Sequence, residues 1–330
     1  MKNETITLGD YVLYWYKVYK MPKHEPSTVG VQLNYIHTHI QTSIVGQMQL
    51  NEVSTSDLQK FLGQLLLAGN RSSIKSLNSY GKPLSHWTVQ KIRQMLIAAY
   101  NQALKENMVQ HNYAADTDPI PRSISNYSFF STEHQQKFLA QTKNHRFYAA
   151  YLLLFYTGCR RSEILGLSWN NINFKQNYIT INQTLVLEHN LPVLKKRTKT
   201  QGSNRTIPIP QEIKLQLRIV QHNQKIEKAA DPHWLNQENL VFTNKDGSVH
   251  NPNYFSRNFK ETVKRLGFPS NLHLHSTRHT FATNMFQLGI PLTDIQSLGG
   301  WSSPDVLLRI YAHSVQKSHR KAINKLFKNI

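Results

Sequence analysis

Four short segments hold residues whose types and spacing can act together on an anion. The first, Thr157-Gly-Cys-Arg-Arg-Ser-Glu163, reads as the end of an apolar helix and the start of another. Arg160 and Glu163 are three residues apart and so share a helical face. Taken alone, such a pair is an exposed ion pair contributing roughly a few tenths of a kcal/mol. The second segment, Lys195-Lys-Arg-Thr-Lys-Thr-Gln-Gly-Ser-Asn-Arg205, is a basic turn, and solvated lysines at a hairpin tip are commonplace. The third, His273-Leu-His-Ser-Thr-Arg-His-Thr280, is rich in histidine. It has no Cys, Asp or Glu close by and fits neither zinc spacing nor a carboxylate cage, which argues against a metal. His275 and Arg278, again three apart, bring two donor groups to one side of a helix, where they can converge on an anion. The fourth runs from Leu298-Gly-Gly-Trp301 to Ile310-Tyr-Ala-His313 and carries Tyr311, one of fifteen tyrosines.

The composition narrows which anion is meant. The chain has 330 residues, 39 Lys+Arg against 19 Asp+Glu, and a formal net charge of +20. That excess calls for a polyanion, with nucleic acid ahead of an anionic membrane surface. Residues 1–116 hold 11 Lys+Arg and 7 Asp+Glu, whereas residues 117–330 hold 28 and 12, so the charge is concentrated in the part that contains all four segments. A hydrophobic content of 39% is enough for a substantial core. The single cysteine, Cys159, rules out a disulfide framework or a multi-cysteine zinc module and suits a reducing compartment. The N-terminal MKNETITLGD has no apolar stretch of the secretory kind, and the longest apolar run, Phe147 to Tyr156, is about half of what a bilayer requires. No Walker A pattern occurs: Gly81-Lys82 is followed by Pro83. A basic, soluble protein of the cytoplasm, with no membrane partner, is expected.

These segments need elements to position them. Leu8, Tyr11, Val12, Trp15, Val18 and Tyr19 form one helical stripe, and Val29, Leu33, Ile36 and Ile40 a second. Leu58, Phe61, Leu62 and Leu65 form a third, and Val89, Ile92, Leu96 and Ala99 a fourth. Together they predict a small helical bundle over residues 1–116. The proline-bearing stretch within 117–128 reads as a linker. Residues 129–330 are then mostly helical, interrupted by alternating strands at Tyr178–Ile181 and Thr206–Ile209. The fold class expected is mainly α with a small antiparallel β-sheet.

Taken in order, the Thr-Gly-x-Arg, Lys-hairpin, His-x-x-Arg and Leu-Gly…Tyr-x-His elements resemble the tyrosine recombinase (phage integrase) family, and the resemblance covers most of the chain. It implies a helical core-binding domain followed by a mixed α/β catalytic domain, closing as a C-shaped clamp on DNA. An arm-site domain, which some members carry ahead of the core-binding domain, is not expected before a first helix near Leu8. By the same resemblance Arg160 and Arg278 are the catalytic arginines, His275 is the histidine of His-x-x-Arg, Lys199 is the hairpin lysine and Tyr311 is the nucleophile. Glu163 takes the supporting acidic position. Trp301 stands where many members have histidine, and since an indole is neither acid nor base its part is positional. The residue types suit the chemistry. Arginines offer rigid, permanently charged, bidentate donors to the oxygens of a phosphodiester under attack. A phenol with a reference pKa near 10 needs that field and a base such as His275. A lysine can release a proton to a leaving 5′-hydroxyl where an arginine cannot.

The implied activity is site-specific recombination by an integrase of a phage or mobile element, through a 3′-phosphotyrosyl intermediate, with no cofactor, metal or ATP. The implied partners are double-stranded DNA at core attachment sites, accessory directionality or bending proteins, and three further copies of the chain in a homotetramer. The C-terminal helix, residues 314–330, would be exchanged between protomers. A type IB topoisomerase-like strand transferase is the alternative, followed by a non-catalytic DNA-binding regulator and a metal-dependent nuclease.

Overall fold

The structure is a computed structural model that describes residues 6–69, 81–121, 128–188, 190–196, 204–315 and 327; for Ser27 and residues 311–315 it describes the backbone alone. The chain divides into two compact units, Met1–Ser125 and Asn126–Ile330.

The first unit is helical. Helices α1 (Leu8–Trp15), α4 (Thr55–Ala68) and α5 (His86–Lys105) supply its main packing faces, joined by α2 (Pro26–Tyr35) and a short α3 (Ile44–Gln47). Each long helix starts where a side chain can satisfy its free N–H groups. Ser54 accepts from the Asp57 N–H while Asp57 accepts from the Ser54 N–H, a capping box. Ser85 accepts from the Thr88 N–H. The expected stripes of α4 and α5 are buried along their whole length. That of α1 is buried only as far as Trp15. From Tyr16 to Lys20 the helix widens into a π-helical turn, whose i→i+5 bonding shifts the phase. Tyr16 therefore turns into the core, and Val18, expected inside, faces solvent. A second such turn, Ile36–Ile40, carries α2 on and buries Ile36 and Ile40. Residues at the start of the expected linker are held by this unit. Arg93 donates to the hydroxyl and carbonyl of Thr117, the Asp118 N–H donates to Gln59, and Ile120 is buried in the same core.

In the second unit, α6 (Thr132–Gln141), α7 (Tyr148–Thr157) and α10 (Pro252–Arg265) enclose an aromatic core of Phe130, Phe138, Tyr151, Phe155, Phe255 and Phe259. The apolar run seen in the sequence is α7, buried on nearly every side. Strands β1 (Ile172–Asn173), β2 (Tyr178–Ile181) and β5 (Arg205–Pro208) form an antiparallel sheet in the order β1-β2-β5, pairing Ile179 with Ile207 and Ile181 with Arg205. A separate hairpin joins β3 (Gln183–Glu188) to β4 (Leu191–Lys196), and Asn190 between them has φ +66. Helices α8 (Arg161–Leu165), α9 (Gln211–Ala230), α11 (Ser276–Gln287), α12 (Leu292–Gly299) and α13 (Pro304–Val315) complete the unit. Among the described residues no helix is long and apolar enough to cross a membrane. The segment expected to be exchanged, residues 314–330, lies outside the described residues except for the end of α13 and Phe327.

Candidate active site

The chain reverses sharply between α7 and α8. Gly158 closes α7 with φ +63, and a Cβ there would lie 2.4 Å from the Phe281 ring, so glycine is required on two counts. Arg160 follows in an extended conformation as the cap of α8. Its backbone N–H donates to Glu163 Oε2 at 2.8 Å and its Nη1 donates to Oε1 at 2.9 Å. The pair is not the exposed one that sequence spacing suggests. Glu163 has no exposed surface, because a second arginine closes over it. Arg205 Nη2 donates to Glu163 Oε2 at 2.7 Å and is itself buried. Burial alone would raise the Glu163 carboxyl; hydrogen bonds and charge from Arg205 and Arg160 override it and hold the group down at about 2.

Arg278 lies on the first turns of α11 and is the largest fully buried side chain of the chain's described residues. Helix α11 is anchored by polar contacts: Ser276 Oγ meets Ser128 Oγ at 2.7 Å, and Thr280 Oγ1 accepts from the Phe130 N–H at 2.8 Å. Arg278 Nη1 donates to the carbonyls of Gly158 and Gly299. Its guanidinium stacks 3.6 Å from the centre of the Trp301 ring, while its Nη2 has no partner. Burial first and Arg160 second lower its pKa to about 9, which leaves it charged at neutral pH. His275 caps α11 at the mouth of the same cavity, edge-on to His279. Loss of surrounding water, then the charges of Arg278, His273 and Arg160, lower its pKa to about 4, so its imidazole is neutral at pH 7. The cavity, of about 360 Å³, is lined by Arg160, His275 and Arg278 together with Cys159, Arg161 and Lys260 among others.

The turn after α12 completes the frame. Gly300 has φ +69. A Cβ on Gly299 would lie 1.9 Å from the Trp301 ring, and one on Gly300 2.7 Å from Arg205 Nη1, which explains the Gly-Gly before the tryptophan. Trp301 packs with Leu307 and Ile310 of α13 in one apolar cluster. Tyr311 follows Ile310 on that helix, its side chain outside the described residues. Lys199 also lies outside them, between the ends of β4 and β5.

The structure thus brings Arg160, Glu163, His275, Arg278 and Trp301 to one place. Arg205, read from the sequence only as the end of a basic turn, joins them. Its signal was present. Residues Arg205, Ile207 and Ile209 alternate with exposed neighbours, so the inward face of β5 begins at the arginine. A guanidinium that holds two groups in place while another keeps a buried, unmet donor beside it is a receptor for an anion that supplies acceptor oxygens.

Comparison with known proteins agrees with this geometry. Residues 128–318 match the phage integrase family, and residues 7–66 match the N-terminal SAM-like domain of phage integrases. A tyrosine recombinase XerC-like protein of Caldanaerobacter subterraneus is 26% identical over 98% of this chain and 83% of its own length. The transposase from transposon Tn916 of Enterococcus faecalis is 22% identical over 89% and 71%. In structure, the Tn1549 transposon integrase in complex with a circular intermediate DNA superposes with a TM-score of 0.80 at 19% identity, covering 97% of this chain and 99% of that one. A lambda integrase from a tetramer bound to a Holliday junction does so at 0.68 and 14%, covering 93% and 78%. With the match to the family spanning more than half of its residues and the second unit built around two arginines and a histidine, the chain belongs to the phage integrase family.

Proposed function

We propose that the protein is a site-specific DNA recombinase of a mobile element, and that Arg160, Arg278 and His275 hold the phosphodiester that Tyr311 attacks. The observation that carries this reading is the unmet Nη2 donor of the buried Arg278, in a cavity shared with Arg160 and His275. One non-bridging oxygen would satisfy it, and two guanidinium groups would meet the charge that gathers on those oxygens as the nucleophile approaches.

In the forward step the Tyr311 oxygen forms a bond to phosphorus and the bond from phosphorus to the 5′-oxygen breaks. His275 is neutral at working pH, so it can take the phenol proton, and an anionic phosphate beside it favours the protonated form. Lys199 gives a proton to the leaving 5′-oxygen. Glu163 keeps Arg160 aimed, and Trp301 supports both Arg278 and the helix of Tyr311. The phosphotyrosyl bond conserves the energy of the phosphodiester. A 5′-hydroxyl from another strand can therefore reverse the step without nucleotide hydrolysis.

The rest of the molecule fits this reading. The net +20 suits duplex DNA, and binding should weaken with salt by a log–log slope of about 0.9 per phosphate neutralised. The first unit, with its SAM-like match, serves as the core-binding domain. Strand exchange between two duplexes calls for four copies of the chain, the assembly in which a lambda integrase is seen on a Holliday junction. Accessory proteins that set direction would act on that assembly in the cytoplasm.

The test is a nicked duplex carrying the junction sequences that flank the gene, from which the short released fragment bearing the free 5′-hydroxyl diffuses away. Wild-type protein is expected to accumulate a covalent adduct, and Tyr311→Phe to bind the same DNA with no adduct. An adduct in the Tyr311→Phe protein contradicts the assignment. Relaxation of any supercoiled plasmid by monomers, with no preferred site, would favour the topoisomerase-like reading.

A further inference from the structure

Helix α12 ends in an unusual way. The last carbonyls of a helix have no partner within it and need one from elsewhere. Here three successive carbonyls are each taken by a different arginine. Leu298 O accepts from Arg205 Nε at 2.7 Å, Gly299 O accepts from Arg278 Nη1, and Gly300 O accepts from Arg160 Nη2 at 3.1 Å. The three arginines come from a strand, a helix and a loop. Arg205 also binds both oxygens of Glu163 with its other nitrogens, at 2.7 and 3.3 Å, while its Nη2 reaches Cys159 Sγ at 3.3 Å. Its fork therefore spans two structures: the carboxylate that aims Arg160, and the turn that receives Arg160 and Arg278. Arg160 also reaches both, through Glu163 and Gly300, but it lines the phosphate cavity, whereas Arg205 stands behind it.

We infer that Arg205 is a positioning residue for strand transfer: by joining Glu163 to the carbonyl of Leu298 it fixes the spacing of Arg160 and Arg278 to that of one phosphate. The inference rests on the proposed function. Arg205 lines no part of the phosphate cavity, so it acts through the groups it holds rather than on the substrate. A planar guanidinium presents donors to a carboxylate and a carbonyl from two fixed edges at once, whereas an ammonium offers its three donors from one rotatable point. The steric fit is equally specific, since a Cβ on Gly300 would enter the space of the Arg205 guanidinium.

The test uses full-length Arg205→Met and Arg205→Lys, with Glu163→Gln alone and combined with Arg205→Met. Three quantities are read: the rate of covalent adduct formation on the nicked duplex, the affinity for that duplex, and binding of inorganic phosphate followed by the phosphorus NMR signal. Arg205→Lys keeps the charge and the ion pair and should fold. It is expected to lose at least tenfold in adduct rate and in phosphate affinity, with duplex affinity changed less than threefold. Arg205→Met is expected to lose about a hundredfold in rate. The acid limb of its pH–rate profile should move to higher pH, because the strongest interactions holding the Glu163 carboxyl down are gone. The combined variant should be no slower than the worse single variant, since both act through one carboxylate. A wild-type adduct rate and phosphate affinity in Arg205→Lys overturns the inference, and so does an unmoved acid limb in a folded Arg205→Met. If wild-type protein forms no adduct at all, the proposed function fails, while the phosphate titration still decides the role of Arg205.

Discussion

The two units fill their interiors by opposite means. In the first, the described buried side chains are hydrocarbon and aromatic, with His39, Ser43, Asn112 and Thr117 as the polar members and no Lys, Arg, Asp or Glu among them. In the second, Glu163, Arg205 and Arg278 are all buried beside an aromatic core, and most of the inward face of α11 is Ser, Thr, Arg and His. An apolar core tolerates many exchanges that keep its volume. A buried ion cluster does not: replaced as a whole by apolar groups it is often no less stable, whereas loss of one member leaves uncompensated charge. Burying charge is thus a poor way to gain stability, and its appearance, among the described residues, in only one unit marks where the sequence serves chemistry instead of packing.

That contrast can be broken from either side. The largest effect is expected from Glu163→Leu, which strands Arg205 in the interior and costs about 3–5 kcal/mol. Hydrogen-exchange mass spectrometry, which reports the units separately, should show protection lost in the second unit and kept in the first. Leu62→Ala, in the apolar core of α4, is expected to cost about 2–5 kcal/mol with the reverse pattern. If either substitution loosens both units equally, their independence is wrong.

A smaller effect comes from pH. His250 and His279 are buried, and burial is the first cause that pushes their pKa down, to about 4 and about 3. Unfolded, they titrate near 6.5. Below that value the unfolded chain takes up protons that the native unit refuses, so their contribution is complete above pH 6.5 and is lost as the pH falls toward 4. The expected slope is about 1.4 kcal/mol per pH unit for each histidine, measured by denaturant unfolding of the second unit across that window. His250→Phe should flatten it by one proton, and an unchanged slope would remove His250 from the account.

Much of this was legible in the sequence, for local reasons. The stripes of α4 and α5 and the apolar α7 follow from side-chain periodicity, and Arg160, Glu163, His275 and Arg278 sit at spacings that one helical turn brings together. What stayed hidden depended on distant partners. Arg205 is buried because Glu163, 42 residues away, and Leu298, 93 residues away, accept its hydrogen bonds. The turn at Tyr16–Lys20 changes helical phase without a marker in residue type. The β3–β4 hairpin escaped notice because Pro192 reads as a strand breaker. In a two-stranded sheet it needs no second neighbour.

The most direct test is to trap the protein on the nicked duplex, digest the adduct and find the modified peptide by mass spectrometry. The expected result is a nucleotide joined through its 3′-phosphate to Tyr311. Attachment to another residue, or through a 5′-phosphate, would contradict the central claim that Arg160 and Arg278 present one phosphodiester to that tyrosine.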